Sequence, residues 1–261
     1  MNVLIYLDDN LASSISLRYI CKHSLLVPMS IQPFHVEAKE QDHYPVGVGW
    51  VRKTWERTIQ DTSRSIIEGF IKTEINNCRG LSAVKVVVGN VETEIIKEIK
   101  RGIYDLFAIG MLASFGFHSF YDFLKSELVQ NVMVPVLLVK NITQYKNVYF
   151  LIDKYSDVEL LVSNYANLYK HLPYKLTLLC YKYGCFEQKN NDFPINKVKD
   201  IFNAYGLDSP DVLEVEGTSQ DIGHMLREGD MVVSLIDKKG PKTAITDILV
   251  HSPISSLIFW K

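Results

Sequence analysis

The sequence predicts an α/β protein made of two tandem domains, each with an open five-stranded parallel sheet. Short apolar runs alternate with stretches of helical periodicity from residue 3 to residue 140. That alternation is typical of a parallel sheet with helices on both faces. The same order restarts near residue 148, so we expect two domains, one over 1–143 and one over 144–261.

The first half contains five apolar runs that are short enough for buried strands. We expect these strands at 3–7, 31–36, 84–88, 106–109 and 134–140. Apolar residues at helical spacing predict helices over 11–27, 50–78 and 92–100, with a further helix inside 111–133.

The second half repeats this order of elements, although few residue identities are repeated. We expect strands at 148–152, 175–179, 212–215, 231–236 and 255–260, and helices near 198–205, 221–227 and 244–250. Asp153 follows its first strand as Asp8 follows the first strand of the chain, and Gly217 matches Gly89. Both terminal strands are apolar, and an exposed apolar edge invites pairing. We therefore expect the two halves to pack as an internal pseudo-dimer, because the linked partner is always close. A homodimer of whole chains stays open.

Composition excludes several classes of function. The chain has 28 Lys and Arg against 30 Asp and Glu, a net charge of −2, which argues against a nucleic-acid partner. No apolar stretch approaches the length that spans a bilayer, so no membrane insertion is expected. The chain begins in a strand pattern without a cationic leader. The four cysteines have no Cys-x-x-Cys spacing, and we expect reduced thiols in a cytoplasmic protein. They are Cys21, Cys78, Cys180 and Cys185.

Three local patterns occur in a fixed order along the first half. A strand ends on Asp8, a Gly89 turn and helix lead into a strand running from Asp105 to Gly110, and a Val-Pro-Val-Leu-Leu-Val strand begins at Val134. In this order they resemble the universal stress protein family, and the repeat resembles its tandem members. The resemblance implies an adenine-nucleotide α-hydrolase-like, Rossmann-like fold and dimers through the last strand. Many members bind ATP or AMP, and others bind neither.

The resemblance also implies a nucleotide site in the first half. Asp8 corresponds to the residue that contacts adenosine, and Val36 to the residue that packs on adenine. Phosphates lie on a Gly-x2-Gly-x9-Gly-Ser/Thr loop, whose glycines let backbone N–H groups approach them. The expected site residues are Leu7, Asp8, Val36, Gly110, Met111, Ala113 and Ser126.

The phosphate loop departs from that pattern. Ala113 stands where the second glycine belongs, and Lys125-Ser126 replaces the last Gly-Ser, displaced by two positions. The aromatic run 115–123 either fills the vacated phosphate space, which we favour, or stays exposed as a docking patch. We therefore expect weak binding, with AMP or adenosine favoured over ATP.

The second half has a shorter loop at the corresponding place. Asp105 and Pro135 are 30 positions apart, whereas Asp230 and Pro253 are 23 positions apart. Asp237 stands where Gly110 stands, and its carboxylate would repel a phosphate. We expect no nucleotide in this half.

No catalytic constellation is visible. The sequence lacks a Gly-x-Ser-x-Gly motif, and its histidines show no zinc spacing, so we expect no enzyme and no metal.

Asp8 and Asp9 either cap the following helix, which we favour, or hold Mg²⁺. Trp50 and Trp55 either pack the apolar face of their helix, which we favour, or meet a partner. Two functions remain: a regulator that binds a nucleotide, and a nucleotide-free adaptor of the stress response.

Overall fold

A computed structural model of the chain describes residues 1–38, 49–75, 77–111, 117–153, 156–181, 195–240 and 243–261. The first half alternates strands and helices as predicted, with β1 Asn2–Tyr6, α1 Leu11–Ser24, β2 Ser30–Ala38, α2 Trp50–Glu74, β3 Lys85–Gly89, α3 Val91–Arg101, β4 Leu106–Gly110, α4 Phe117–Lys125, α5 Glu127–Asn131 and β5 Val136–Val139. The region 111–133 thus holds two short helices where the sequence predicted one.

The second half repeats the alternation with shorter helices. Its elements are β6 Asn147–Ile152, α6 Val158–Tyr169, β7 Lys175–Tyr181, α7 Ile195–Ala204, β8 Asp211–Val215, α8 Ser219–Met225, a 3-10 turn Leu226–Glu228, β9 Met231–Ile236, α9 Ala244–His251 and β10 Ser255–Trp260. Residues 140–146 connect β5 to β6, and a domain boundary after residue 143 stays a prediction.

In the described part of the chain the ten strands form one sheet. Its order is β3-β2-β1-β4-β5-β10-β9-β6-β7-β8, so the second half mirrors the order of the first. Strands within each half are parallel, whereas β5 and β10 pair antiparallel, with Leu137 opposite Leu257. The predicted internal pseudo-dimer through the terminal strands is confirmed, and each apolar terminal strand covers the edge of the other.

Both faces of the sheet are buried, and each core runs through both halves. Val3 and Ile5 of β1 pack under α1, in a cluster that extends to Tyr165 of α6. Leu4 points to the opposite face, in a cluster that extends to Ile248 of α9. This alternation follows from the two-residue period of a strand. None of the described helices combines the length and the apolar content that a membrane span needs.

Polar contacts also join the halves. The buried ammonium of Lys140, at the end of β5, donates to the carbonyl oxygens of Leu249 (2.6 Å) and Ser252 (2.8 Å) at the end of α9. Cations are favoured at a helix C-terminus. Burial nevertheless lowers the pKa of Lys140 to about 8. The Trp260 indole N–H donates to the Val134 carbonyl oxygen at 2.8 Å.

One cysteine pair corrects the expectation of four reduced thiols. Cys21 in α1 and Cys78 beyond α2 form a disulfide across 57 positions of sequence. The bond forms because α1 packs against the end of α2, where Arg18 and Glu74 make an ion pair of 2.7 Å. Sequence spacing carries no sign of such a contact. Cys180 is buried, and Cys185 lies outside the described residues.

Candidate functional site

In the first half β1 is the point where the strand order reverses, because β2 and β3 lie on one side of it and β4 and β5 on the other. Its neighbours are β2 on one side and β4 on the other, both parallel to it. Ligands of open parallel sheets bind beyond the carboxyl ends of the strands at such a reversal. Asp8 follows β1 at this edge, and Gly110 ends β4 at the same edge.

A cavity of about 320 Å³ opens at the carboxyl ends of β1 and β2. Its lining residues are Tyr6, Asp8, Asp9, His35, Val36, Glu37, Ala38, Ser63, Ile66, Ile67 and Val91. Two predicted site residues, Asp8 and Val36, are therefore brought together. Leu7 lies between the cavity residues Tyr6 and Asp8 in sequence but is fully buried in the core.

A second space of about 440 Å³ continues from this cavity along α2. The two spaces share Glu37, Ala38, Ser63 and Ile66. Trp55 and Ile59 of α2 line the outer part, opposite Val88 of β3. Trp55 therefore faces this groove, whereas Trp50, which the sequence placed on the packed side of the helix, is 77% exposed. Because they share these residues, the two spaces form an elongated groove whose inner end lies at Asp8 and Val36.

The inner end of the groove is built from polar groups held in place by one another. Glu37 Oε2 accepts a hydrogen bond of 2.6 Å from Ser63 Oγ. His35 Nδ1 donates to the Leu7 carbonyl oxygen at 2.8 Å, and its Nε2 lies 3.4 Å from Glu37 Oε2. Burial raises the pKa of Tyr6, and the charges of Asp8 and Glu37 raise it further. The phenol therefore stays protonated and can donate a hydrogen bond to a ligand.

The turn after β1 presents Asp8 to the cavity. The Asp8 N–H donates to Ser13 Oγ at 2.8 Å, and the Asp9 N–H donates to Asp8 Oδ1 at 2.9 Å. Asn10 caps α1, because its Oδ1 accepts from the Ser13 N–H at 2.9 Å. The expectation that the aspartate pair caps this helix is therefore wrong, since the chain reaches the helix one residue later. No described group of three His, Cys, Asp or Glu side chains is arranged to hold a metal ion.

The end of β4 is closed by α1. A Cβ at Gly110 would lie 2.0 Å from the carbonyl oxygen of Ala12, so the two backbones are in direct contact. The Met111 N–H donates to the Val139 carbonyl oxygen at 2.5 Å. Gly110 and Met111 are not among the residues that line the cavity, and Ala113 lies outside the described residues.

Ser126 is the N-cap residue of α5. Its Oγ accepts from the Val129 N–H at 3.3 Å and donates to the Phe123 carbonyl oxygen at 2.7 Å. The backbone N–H of Leu128, in the first turn of α5, donates to Glu92 Oε2 at 2.9 Å. Ser126 does not line the cavity either. Asp8 and Val36 of the predicted site therefore share one cavity, whereas Gly110, Met111 and Ser126 lie outside its lining. The assignment of these residues to a nucleotide site stays a prediction.

The aromatic segment packs against the second half, as far as its described residues go. Phe120 is buried, with the Lys140 ammonium 5.4 Å from its ring centre. The Tyr121 hydroxyl donates to Asp247 of α9, and burial together with that carboxylate raises the pKa of Tyr121 to about 12. These described residues contact the second half, and the role of the whole segment beside a phosphate space stays a prediction. Phe115 lies outside the described residues.

The corresponding positions of the second half are closed. Asp153 is buried, and its Oδ1 accepts a hydrogen bond of 2.8 Å from Ser156 Oγ. Asp237 Oδ1 accepts from the Lys239 N–H at 2.9 Å. The ammonium of Lys238 donates to the Val132 carbonyl oxygen and lies 4.7 Å from the centre of the Trp260 ring. The shortened loop is thus turned toward the first half. Its Pro241 lies outside the described residues, and the absence of a nucleotide here stays a prediction.

Sequence reasoning missed several residues of the cavity. Tyr6, His35 and Glu37 lie within two positions of Asp8 or Val36, so a search of the strand ends could have found them. Ser63 comes from the middle of α2, and only the packing of that helix brings it to Glu37.

No family model and no curated protein matches the sequence. Solved structures do match. A universal stress protein from Archaeoglobus fulgidus aligns over 100% of this chain and 96% of its own length, with 14% identity and a TM-score of 0.67. A putative universal stress protein from Pseudomonas aeruginosa aligns over 99% and 92%, with 13% identity and a TM-score of 0.59. At these identities the likeness concerns the fold alone. The chain therefore has the fold of a tandem universal stress protein.

Proposed function

We propose that this chain is a non-enzymatic regulatory or scaffold protein of the stress response that binds an adenine nucleotide, AMP or ATP, in its first half. The supporting observation is the cavity of about 320 Å³ in which Asp8 and Val36 lie together. A concave site at the carboxyl edge of a parallel sheet, with an apolar wall and a few polar groups, suits a small organic ligand.

The cavity is suited to an adenosine group. Val36, Ile66 and Val91 supply apolar surface for a purine ring, and the carboxylates of Asp8 and Glu37 can accept hydrogen bonds from amino and hydroxyl groups. A ligand in this place contacts β1, β2 and α2 together. Binding would therefore restrain α2 and the groove along it, which gives a route from ligand to partner.

A thermal-shift series with ATP, ADP and AMP tests the proposal, because a ligand that binds only the folded state raises its stability. We expect stabilisation of the natural chain and its loss in Asp8→Ala. The matched control is Asp153→Ala, which changes the corresponding residue of the second half and should leave the ligand effect intact. An equal loss from both substitutions would overturn the assignment to the first half. Incubation with ATP should yield no hydrolysis, and enzymatic turnover would refute the non-enzymatic role.

A nucleotide-free adaptor is the second candidate, and the outer groove favours it. Trp55 and Ile59 line an apolar space that is open toward solvent, and Trp50 on the same helix is largely exposed. Exposed apolar surface of this kind is typical of contacts with other proteins. A thermal-shift series in which no adenine compound stabilises the chain would favour the adaptor.

A further inference from the structure

The inner cavity is acidic. Asp8, Asp9 and Glu37 all contribute to its wall, and none of the described residues that line it is a lysine or an arginine. Carboxylates near a bound phosphate repel it, with a strength that solvent and salt reduce in a partly open site. Negative charge on a ligand therefore weakens its binding here, even where its apolar part contributes favourable binding free energy.

The start of α3 lies at the cavity and carries two glutamates. Val91, the first residue of α3, lines the cavity, and Glu92 and Glu94 lie in the first turn. A helix start attracts anions through its free N–H groups and its dipole. In this chain Asn90 Oδ1 already accepts the Thr93 N–H at 3.0 Å, and the two glutamates add negative charge to the first turn. Glu92 also accepts the Leu128 N–H at 2.9 Å, so it occupies the start of α5 as well.

Two further donors among the predicted phosphate residues, as far as the structure describes them, are engaged within the protein. The Met111 N–H is bonded to the Val139 carbonyl oxygen, and Ser126 Oγ is bonded to the Phe123 carbonyl oxygen. A phosphate that used either group would first have to break its present bond. Replacing one internal hydrogen bond by another yields little net free energy.

We propose that the first half takes a purine nucleoside without a phosphate, and that Glu92 together with the cavity carboxylates rejects the phosphorylated forms. This inference rests on the proposed adenine site and specifies its ligand. Uncharged adenosine offers amino and hydroxyl donors to Asp8 and Glu37, whose oxygens accept them. The protonated Tyr6 hydroxyl donates in return. The carboxylates thus select between ligands by charge, as well as bind the nucleoside.

Calorimetry on the full natural chain with adenosine, AMP and ATP tests the proposal. We expect adenosine to bind at least tenfold more tightly than AMP, and AMP more tightly than ATP. AMP or ATP binding as tightly as adenosine would overturn the inference and leave the proposed adenine site standing. If none of the three binds, both the proposed site and this inference fail.

Two charge-removing variants extend the test. Glu92→Gln keeps an oxygen for the Leu128 N–H, and Asp9→Asn changes a side chain at the rim of the cavity. Each should raise the affinity for AMP relative to adenosine by about two- to fivefold, as expected for one charge near a partly screened phosphate. Glu159→Gln, in the first turn of α6, is the matched control and should leave the ratio unchanged. An unchanged ratio in both test variants would contradict the role given to these carboxylates.

Discussion

Asp230, at the start of β9, accepts a hydrogen bond of 2.7 Å from the Tyr19 hydroxyl of α1, in the other half of the protein. The carboxylate is fully buried and also contacts His23 Nε2 at 2.9 Å and the Lys22 ammonium. Thr143 Oγ1 donates to it at 3.2 Å. A single buried carboxylate therefore joins α1 and the connecting segment to the second half.

Replacing Asp230 with Asn should destabilise the protein by about 3 kcal/mol or more, because the buried His23 and the partly exposed Lys22 lose their charged acceptor. Denaturant unfolding, followed by tryptophan fluorescence, measures the change. Asp105→Asn is the control, since Asp105 occupies the matching position of the first half but is exposed and, among the described residues, accepts the Asn2 N–H. It should cost under about 1 kcal/mol. Similar losses in the two variants would contradict the importance of the buried contact.

The same carboxylate predicts an acid-dependent loss of stability. Burial raises the pKa of Asp230, but hydrogen bonds from His23, Lys22 and Tyr19 outweigh it and lower the pKa to about 2. The folded state thus binds its proton less readily than the unfolded state, whose carboxyl has a pKa near 3.8. The resulting stabilisation, about 2 kcal/mol, is complete above about pH 5 and is lost as the pH falls through 2.

Unfolding free energies between pH 5 and pH 2 measure this loss. Tyr19→Phe removes one of the donors without adding a charge, so the folded-state pKa of Asp230 should rise toward 3.8. The acid-dependent loss should then be smaller and should be complete at a higher pH in that variant. A pH profile that superimposes on that of the natural chain would show that Tyr19 does not hold the pKa of Asp230 down.

The Cys21–Cys78 disulfide should contribute about 2–4 kcal/mol, because it closes a long loop in the unfolded chain. Unfolding with and without dithiothreitol measures the contribution. The double variant Cys21→Ser with Cys78→Ser should resemble the reduced natural protein and show no further response to the reductant. A natural chain whose stability is the same with and without dithiothreitol would contradict the prediction.

Gly110→Ala should destabilise the chain by about 2 kcal/mol or more, because the new methyl group overlaps the Ala12 carbonyl and the backbones must separate. Gly69→Ala is a matched control in the exposed middle of α2, where a Cβ meets nothing within 4 Å. It should stabilise the chain by about 0.5–1 kcal/mol through helix propensity. Thermal unfolding of the two variants distinguishes these opposite effects, and a neutral Gly110→Ala would refute the close contact between α1 and β4.

The sequence by itself determined the order of strands and helices, the tandem repeat and the pairing of the apolar terminal strands. These features depend on local periodicity and on whether an apolar strand would leave an exposed edge. Both can be read from residues that are close in sequence. Asp8 and Val36 could be assigned to one site for the same reason, because the carboxyl ends of neighbouring parallel strands meet at one edge.

Only the tertiary structure decided which distant side chains touch. Cys21 meets Cys78, Ser63 meets Glu37, and Tyr19 meets Asp230 across 211 positions. Each contact depends on how a helix lies across the sheet, and that is set by the packing of the whole core rather than by local spacing. For the same reason the sequence motif alone matched Ser126 to a phosphate loop. In the folded structure Ser126 is the N-cap residue of α5.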